Sequence, residues 1–357
     1  MSATADAVVI GAGIVGAACA LALSRDGLRV VVVEHATVGG GATAAGMGHI
    51  VVMDDCEAQF ALTRYSRDLW QALLPCLPPQ TEVERCGTLW VAADEDEMAA
   101  VHAKAAFYAG RGVRAEVLDA ASLAAAEPHL RRGLAGGLLV PDDSVVYAPC
   151  VTRWLLDQSG AEVRLCDSDI HAGLTVYATG AAAPEHFPWL PIRPRKGHLA
   201  ITDRYPGFVH HQLVELGYLK SAHGSATESV AFNVQPRATG QVLIGSSRQF
   251  GATHSGVDSA ILRAMLRRAC QYMPDLAQLS VIRTWTGFRA ATDDKLPVIG
   301  EVPDQPGVWL ATGHEGLGIT TSLATGQLMA DMVTGRAPAI DPAPYLPARL
   351  MREPSHA

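Results

Sequence analysis

Three glycines near the start of the chain, Gly11, Gly13 and Gly16, limit most strongly what this sequence can fold into. They follow an apolar, β-branched run, residues 7–10, which is typical of a strand buried on both faces. Residues 17–25, after them, are rich in helix formers. At this spacing the first glycine permits a tight turn, the second lets a pyrophosphate approach, and the third lets helix and strand pack closely. The stretch therefore predicts a phosphate site at a helix N-terminus.

An acidic residue completes this motif. Residues 28–33 form a second predicted strand, and Glu34 ends it, eighteen residues after Gly16. A carboxylate at that point accepts hydrogen bonds from the diol of a ribose. Because strand, helix, second strand and terminal acid occur in order, the sequence predicts a dinucleotide site rather than an isolated glycine turn.

Composition excludes several classes of protein. A length of 357 residues predicts two domains. A composition of 49% hydrophobic and 18% charged residues provides ample core for them. A net charge of −8 disfavours nucleic acid as a partner. The seven cysteines contain no C-x-x-C pair, so no metal site is expected. The first strand begins too early for a secretory signal, and no apolar run reaches the roughly eighteen residues of a membrane span. We therefore expect a cytoplasmic protein with reduced thiols and no transmembrane segment.

Two further stretches bear on the site. Residues 35–48, rich in glycine and alanine, form either a flexible linker or a cofactor-lining loop. The second interpretation is favoured, because the loop leaves the strand that carries the ribose acid and lacks bulky side chains. Near the other end, a strand at 308–312 leads into the glycine-rich loop 313–318 and a helix at 319–333. The chain thus pairs its first motif with a similar strand, loop and helix.

The middle of the chain has a different pattern. From residue 193 the sequence predicts an antiparallel sheet, with short strands at 198–202, 218–221, 230–234 and 241–246. One amphipathic helix is predicted at 257–273.

Together these segments resemble the D-amino-acid oxidase superfamily of flavoproteins, which contains glycine oxidase, sarcosine oxidase and dye-linked dehydrogenases. The resemblance covers nearly the whole chain. Besides the first motif and Glu34, it depends on residues 45–47, 177–180, 287–300 and 311–318. Within the superfamily the chain is most similar to the flavin-carrying β subunits of heteromeric opine and D-hydroxyproline dehydrogenases, through residues 192–198 and 313–318.

The resemblance implies an α/β fold built from two interleaved domains. One is an FAD-binding Rossmann-type domain of the glutathione-reductase-like kind, expected at residues 1–80, 136–192 and 291–357. The other is a substrate or cap domain of antiparallel sheet plus helix, expected at residues 81–135 and 193–290.

FAD is the cofactor that the resemblance implies. The first motif and Glu34 would bind its ADP half, and the last loop and helix would place backbone amides near the flavin pyrimidine. The residues expected to bind it are Gly11, Gly13, Ile14, Val15, Gly16, Glu34, Ala44, Ala45, Gly46, Met47, Gly48, His49, Gly180, Gly313, Gly316, Leu317, Gly318 and Ile319.

Arg289 is the residue that the resemblance assigns to the substrate carboxylate. A planar guanidinium matches a carboxylate bidentately and so sets the direction of the Cα–H bond. A surface or salt-bridging arginine is the alternative. His314 and Glu315 are candidate catalytic residues through their position beside the flavin loop alone. A structural role is equally open for them and for the other candidate pocket residues, His49, Tyr147, His198, Tyr218 and Lys220.

Three features depart from the family pattern. Ala290 follows the arginine where the family usually has proline. Gly316 stands where glycine oxidase carries a second arginine, which makes glycine an unexpected substrate. Residues 167–173 leave space for little more than a turn where relatives fit a small β-meander, which would free surface for another chain.

The implied function is an FAD-dependent dehydrogenase that oxidises the Cα–N bond of an amino or imino acid resembling D-hydroxyproline or an opine. Hydride passes to flavin N5, and the electrons pass to a partner subunit of a hetero-oligomer or to a respiratory acceptor. Two alternatives stay open. One is an oxygen-using amino-acid oxidase of the glycine, sarcosine or D-amino-acid oxidase type. The other is a non-catalytic flavin-binding subunit.

Overall fold

The computed structural model describes residues 5–166, 170, 172–217 and 228–351. Tyr218, Lys220 and the predicted strand at 218–221 lie outside the described residues, as does most of the segment 167–173. Across the described parts of the chain, no helix combines the length and the apolar character needed to span a bilayer.

In chain order, the strands are β1 (Ala7–Ile10), β2 (Val30–Glu34), β3 (His49–Ile50), β4 (Thr88–Ala92), β5 (Glu116–Asp119), β6 (Gly136–Val140), β7 (Ser144–Val145), β8 (Glu162–Leu165), β9 (Leu174–Tyr177), β10 (Arg193–Arg204), β11 (Gln212–Glu215), β12 (Glu228–Pro236), β13 (Gln241–Phe250), β14 (Val281–Ala291), β15 (Val298–Glu301) and β16 (Val308–Thr312). The α-helices are α1 (Ile14–Arg25), α2 (Gly41–Ala45), α3 (Glu57–Leu73), α4 (Glu95–Ala109), α5 (Ala120–Ala126), α6 (Ala148–Ser159), α7 (Ala183–His186), α8 (Ser259–Tyr272) and α9 (Gly318–Val333).

The chain is divided into two compact units. Unit 1 consists of residues 1–81, 147–194 and 288–357, and unit 2 of residues 82–146 and 195–287. The sequence places 136–192 in the cofactor domain, but the structure groups residues 136–146 with unit 2. The reason is that β6 pairs antiparallel with β4, a long-range pairing with no local sequence signal. The assignment of the units to cofactor and substrate stays a prediction.

Unit 1 contains a six-stranded sheet in the order β15-β16-β9-β1-β2-β8. From β16 to β8 the strands are parallel, and β15 runs antiparallel at one edge. β1 lies inside the sheet, which explains its uninterrupted apolar sequence. Helices α1 and α9 cross closely at Gly326, where an added Cβ would lie 2.5 Å from the carbonyl oxygen of Ala18. The predicted α/β fold is confirmed.

Unit 2 contains an eight-stranded sheet in the order β14-β10-β13-β12-β11-β4-β6-β5. The sequence predicts an antiparallel sheet here, but β11 pairs parallel with β4, so the sheet is mixed. The sequence does not predict strand β11. Helix α8 packs on one face of this sheet, where Met265 meets a core that includes Phe232, Val234 and Ile244.

Candidate active site

The glycine-rich turn joins β1 to α1 as the motif predicts. Gly11 has φ +106°, and its N–H donates to the Val33 carbonyl oxygen at 2.8 Å. A Cβ on Gly11 would lie 2.6 Å from the Ala178 carbonyl oxygen, and one on Gly16 would lie 1.9 Å from the Gly11 carbonyl oxygen. Both distances are far below van der Waals contact, so only glycine fits at either position.

Helix α1 begins at Ile14, with Gly13 as its N-cap. The amides of the first turn, including those of Val15 and Gly16, have no partner within a helix and make its N-terminus attract anions. The Ile14 N–H donates to Thr43 Oγ1 at 3.1 Å, and Thr43 is buried. Thr43 is not among the residues that the sequence singles out. Its only signal was a hydroxyl within the glycine- and alanine-rich stretch.

Glu34 is buried at the end of β2, and its carboxylate is held by backbone amides. Oε2 accepts from the Ala12 N–H at 2.8 Å, and Oε1 accepts from the Ala36 N–H at 2.9 Å. Oε1 also lies 3.1 Å from Nδ1 of the exposed His35, while Oε2 keeps a second lone pair beside its bond to Ala12. The acid is therefore fixed in position and can still accept hydrogen bonds from a ribose diol.

A buried hydroxyl lies beside the glycine turn. Thr179 Oγ1 is buried and, among the described residues, has no hydrogen-bond partner. The Thr179 backbone nitrogen would lie 3.4 Å from a Cβ on Gly11. Gly180 follows with φ +56°, and its carbonyl oxygen accepts from Thr312 Oγ1 at 2.9 Å. An orphaned hydroxyl, the first-turn amides of α1 and a fixed acid around one turn together fit the phosphates and ribose of a dinucleotide.

Predicted cofactor residues from the two ends of the chain meet at the start of α9. A Cβ on Gly46 would lie 2.9 Å from Ile319 Cδ1, so the loop after α2 runs against this helix. Thr320 Oγ1 donates to the His49 carbonyl oxygen at 2.8 Å, which ties β3 to the same turn. Leu317 is the N-cap of α9. The other predicted loop residues lie at the end of α2 and just before β3: Ala44, Ala45, Met47 and Gly48.

Arg289 lies beside the glycine-rich loop that precedes α9. A Cβ on Gly316 would lie 3.5 Å from Arg289 Nε and 3.6 Å from its Cδ. The loop turns through Gly313 and Glu315, which have φ +75° and +53°, and the Glu315 N–H donates to the Ala290 carbonyl oxygen at 3.0 Å. The structure thus brings Arg289 and the loop residues together. It places Gly316, which has no side chain, next to the guanidinium.

The Arg289 side chain is half-buried and remains a cation at neutral pH. Burial lowers its pKa from the usual value to about 10. A guanidinium in such surroundings is poorly solvated and interacts strongly with an anion that reaches it. The arrangement is therefore suited to binding a small carboxylate.

His314 is buried and forms a hydrogen bond within the same loop and helix. Its Nε2 lies 2.9 Å from Thr325 Oγ1. Because Thr325 Oγ1 donates to the Thr321 carbonyl oxygen at 2.9 Å, we assign the proton to Nε2, which donates to Thr325. Burial lowers the pKa of His314 to about 3, so the ring is neutral at physiological pH. This geometry favours a role in holding the loop on α9 over one in proton transfer.

His314 predicts a pH dependence of stability. Its pKa is about 3 in the folded chain and about 6.5 in the unfolded chain, so below pH 6.5 the unfolded chain binds the proton more readily. Folding stability should then fall as pH drops from about 6.5 towards 3, by up to about 1.4 kcal/mol per pH unit from this group. Between pH 7.5 and 5.0 the free energy of unfolding, measured in urea, should fall by about 2 kcal/mol less in His314→Gln than in wild type. His102→Gln, which replaces an exposed histidine, is the control, and its free energy of unfolding should fall as much as that of wild type. Equal falls in wild type and His314→Gln would contradict this account.

The structure also places two further candidates from the sequence, His198 and Tyr147. In unit 2, His198 is buried with Nδ1 2.9 Å from Ser247 Oγ, and its Nε2 accepts from the Asp258 N–H at 2.9 Å. Both ring nitrogens are thus engaged, which favours the structural interpretation. In unit 1, Tyr147 is 38% exposed and precedes α6 as its N-cap.

The family model for FAD dependent oxidoreductases, DAO, matches residues 6–332. The chain belongs to the DAO family. The predicted enzyme class, an FAD-dependent oxidoreductase, and the predicted cofactor are thereby confirmed. The turn at Gly11, the acid Glu34 and the hydroxyl of Thr179 are the groups of this DAO protein that would hold the ADP half of FAD. Roles of individual residues in binding and catalysis stay predictions.

Relatives of known sequence and structure match this DAO protein over nearly its whole length. It is 29% identical to a glycine oxidase of Pseudomonas aeruginosa, over 96% of this chain and 98% of that relative. It is 27% identical to a hydrogen cyanide synthase subunit of the same organism, over 99% of this chain and 98% of the relative. The crystal structure of glycine oxidase from Geobacillus kaustophilus superposes with a TM-score of 0.85 at 26% identity, over 98% and 99% of the two chains.

Proposed function

We propose that this DAO protein is a dehydrogenase that oxidises the Cα–N bond of a small amino or imino acid. Arg289 binds the substrate carboxylate, and a cyclic imino acid or an opine is the favoured substrate class. The relatives named glycine oxidase support an amino-acid substrate. Gly316 supports a substrate other than glycine, because no second cation extends from that position.

One observation carries this proposal: a half-buried cation, Arg289, stands over Gly316 in the loop that leads into α9. A carboxylate bound bidentately by the guanidinium would be fixed in both position and orientation. The absent side chain at Gly316 leaves space for a substrate larger than glycine beside that carboxylate. Bound FAD would supply the oxidant for the Cα–N bond. The chain itself contributes orientation, and the first-turn amides of α9 contribute a fixed positive potential.

The substrate class can be tested directly by anaerobic mixing. The purified protein, loaded with FAD, is mixed without oxygen with a panel of amino acids, imino acids and opines of both configurations. At least one compound that bears a carboxylate and an α-amine should bleach the flavin absorbance on the time scale of enzymatic turnover. If a fully loaded protein is bleached by dithionite and by no member of the panel, the chain is a non-catalytic flavin-binding subunit instead.

We further infer that the electrons pass to a partner subunit or respiratory acceptor rather than to oxygen. The hydrogen cyanide synthase relative, a subunit by name, supports work within an assembly. The resemblance to heteromeric β subunits supports it too. A cytoplasmic location is consistent with the seven cysteines, which are all free thiols. An interface that holds an acceptor should bury well over about 1,000 Å².

This inference predicts which electron acceptor supports the faster turnover. With a compound that bleaches the flavin, turnover of the isolated chain should be slow with oxygen and at least tenfold faster with an artificial dye. Proteins encoded by neighbouring genes, co-expressed with it, should co-purify. Oxygen-linked turnover by the chain alone that equals the dye rate would select the second candidate function, an amino-acid oxidase, which the glycine oxidase relatives favour.

A further inference from the structure

Strand β8 forms one edge of the six-stranded sheet of unit 1. Among the described residues, β2 is the only strand that pairs with it. Two of its apolar side chains are exposed, Val163 by 37% and Leu165 by 62%. Chains commonly protect an open edge with proline, lysine or a bulge. β8 contains neither proline nor lysine and pairs with β2 without a shift of register, so this edge is available to another strand.

The pairing with β2 shows which backbone groups of β8 point away from the sheet. The Cys166 N–H donates to the Glu34 carbonyl oxygen at 2.9 Å, so the backbone groups of Cys166 point towards β2. Successive residues of a strand turn their N–H and C=O groups to opposite sides, and those of Arg164 and Glu162 therefore also point towards β2. Val163, between them, presents its N–H and C=O groups to the open edge.

The charges on β8 are complementary to a second copy of the same strand. Glu162 and Arg164 lie on one face of β8 because they are two residues apart. Within one chain, Arg164 Nε donates to Glu162 Oε1 at 2.9 Å. If a second β8 pairs antiparallel with the first about a twofold axis at Val163, Glu162 of each copy stands opposite Arg164 of the other. Opposite charges at such cross-strand positions stabilise a sheet.

Neighbouring registers of this pairing place like charges together. An axis at Glu162 would put two carboxylates opposite each other, and an axis at Arg164 would put two guanidinium groups opposite each other, which is destabilising. With the axis at Val163, the two valines exchange both of their N–H···O=C bonds. The charged residues then fall at the positions between these bonded pairs, where opposing side chains are closest. The backbone groups and the charges thus select the same register.

The exposed apolar side chains meet on the other face of this pair. Val163 and Leu165 alternate with the charged residues and so share the opposite face of β8. In the Val163 register the two valines are adjacent, and Leu165 of one copy lies opposite Ala161 of the other. Their burial adds a hydrophobic contribution. Because β8 has only four residues, the interface is small, and we expect weak association that depends on concentration.

We propose that the edge of β8 is a self-association surface, at which a second copy of this chain pairs antiparallel about Val163 and the two sheets become continuous. The interface is isologous, since both copies use the same residues. This inference goes beyond the proposed function and depends on neither the substrate nor the electron acceptor. Its test measures mass rather than turnover, so its failure is distinct from that of the proposed function.

Sedimentation equilibrium of the full chain, loaded with FAD and measured over a series of protein concentrations, tests the association. The average mass of wild type should rise with concentration towards that of two chains. Val163→Pro should stay monomeric, because proline removes the N–H at the open edge while the bonds to β2 remain. Glu162→Arg and Arg164→Glu should each weaken dimerisation by about tenfold or more, because each places like charges opposite each other.

An equimolar mixture of Glu162→Arg and Arg164→Glu tests the register. In a mixed pair every arginine again faces a glutamate, so the mixture should associate about as strongly as wild type. The ion pair within each strand stays broken in the mixture, so a role of that ion pair in the single chain would give no such recovery. Arg114→Glu, which breaks an exposed ion pair with Asp142 in unit 2, is the matched control and should dimerise as wild type does.

Four results would overturn the proposal. Wild type that stays monomeric over the whole series would do so, as would association that persists in Val163→Pro, which would place the interface elsewhere. A mixture that fails to recover would reject the Val163 register. If wild type is monomeric but binds a co-expressed neighbouring protein, and Val163→Pro does not, the edge serves another chain rather than a second copy.

Discussion

Replacing Arg289 by leucine should weaken substrate binding by about two to four powers of ten. Each charge-assisted hydrogen bond is worth roughly 1.5–3 kcal/mol, and a bidentate pair supplies two of them. Leucine keeps part of the contact with Gly316 while removing the cation. The flavin content should stay near that of wild type. The measurement is the Kd from anaerobic titration of flavin absorbance with a reactive compound, or with a non-oxidisable carboxylate analogue.

Arg283→Leu is the matched control, because this arginine lies on the same strand, is exposed and contacts the Trp285 ring. It should leave the Kd unchanged. Arg289→Lys should recover only part of the affinity, since an ammonium is a point charge without the planar fork. Unaltered affinity in Arg289→Leu would show that the carboxylate binds elsewhere, and loss of FAD from this variant would show that Arg289 serves the cofactor.

Replacing Gly11 by alanine should reduce the FAD content of the purified protein more than tenfold. The new methyl group would lie 2.6 Å from the Ala178 carbonyl oxygen, and neither backbone segment can move without disturbing β1 and β9. The positive φ adds roughly 1–2 kcal/mol of strain for any residue with a Cβ. The ratio of flavin to protein absorbance measures the loss, and far-ultraviolet circular dichroism tests whether the fold persists.

Gly27→Ala separates close approach from backbone strain. Gly27 also has a positive φ, +86°, but a Cβ there would meet nothing within 4 Å. This variant should therefore keep its flavin, with a modest loss of stability. If Gly11→Ala and Gly27→Ala both retain FAD, the turn at Gly11 does not hold the cofactor as described.

The parts of the fold that local sequence determines were predictable. The motif from Gly11 to Gly16 requires glycine for reasons that act within a few residues, and the structure shows the expected turn and helix. Apolar runs such as residues 7–10 likewise define strands of the parallel sheet. The family resemblance singled out Arg289, whose role composition alone left open, and the structure places this residue beside the last loop.

The parts that were missed depend on contacts between residues far apart in sequence. Thr43 caps α1 from 29 positions away, and nothing near it in the sequence indicates that contact. Strand β11 is only four residues long and pairs in parallel with β4. A segment this short does not show a clear alternation of apolar and polar residues.

The central claim is that this DAO protein oxidises a substrate whose carboxylate is held by Arg289. The most direct measurement is anaerobic flavin reduction by the best compound of the panel and by the same amine without its carboxylate, for example proline and pyrrolidine. Wild type should be reduced at least a hundredfold faster by the acid at equal concentration, and Arg289→Leu should reduce this preference to near one. Equal reduction by acid and amine in wild type, or an unchanged preference in Arg289→Leu, would contradict the account.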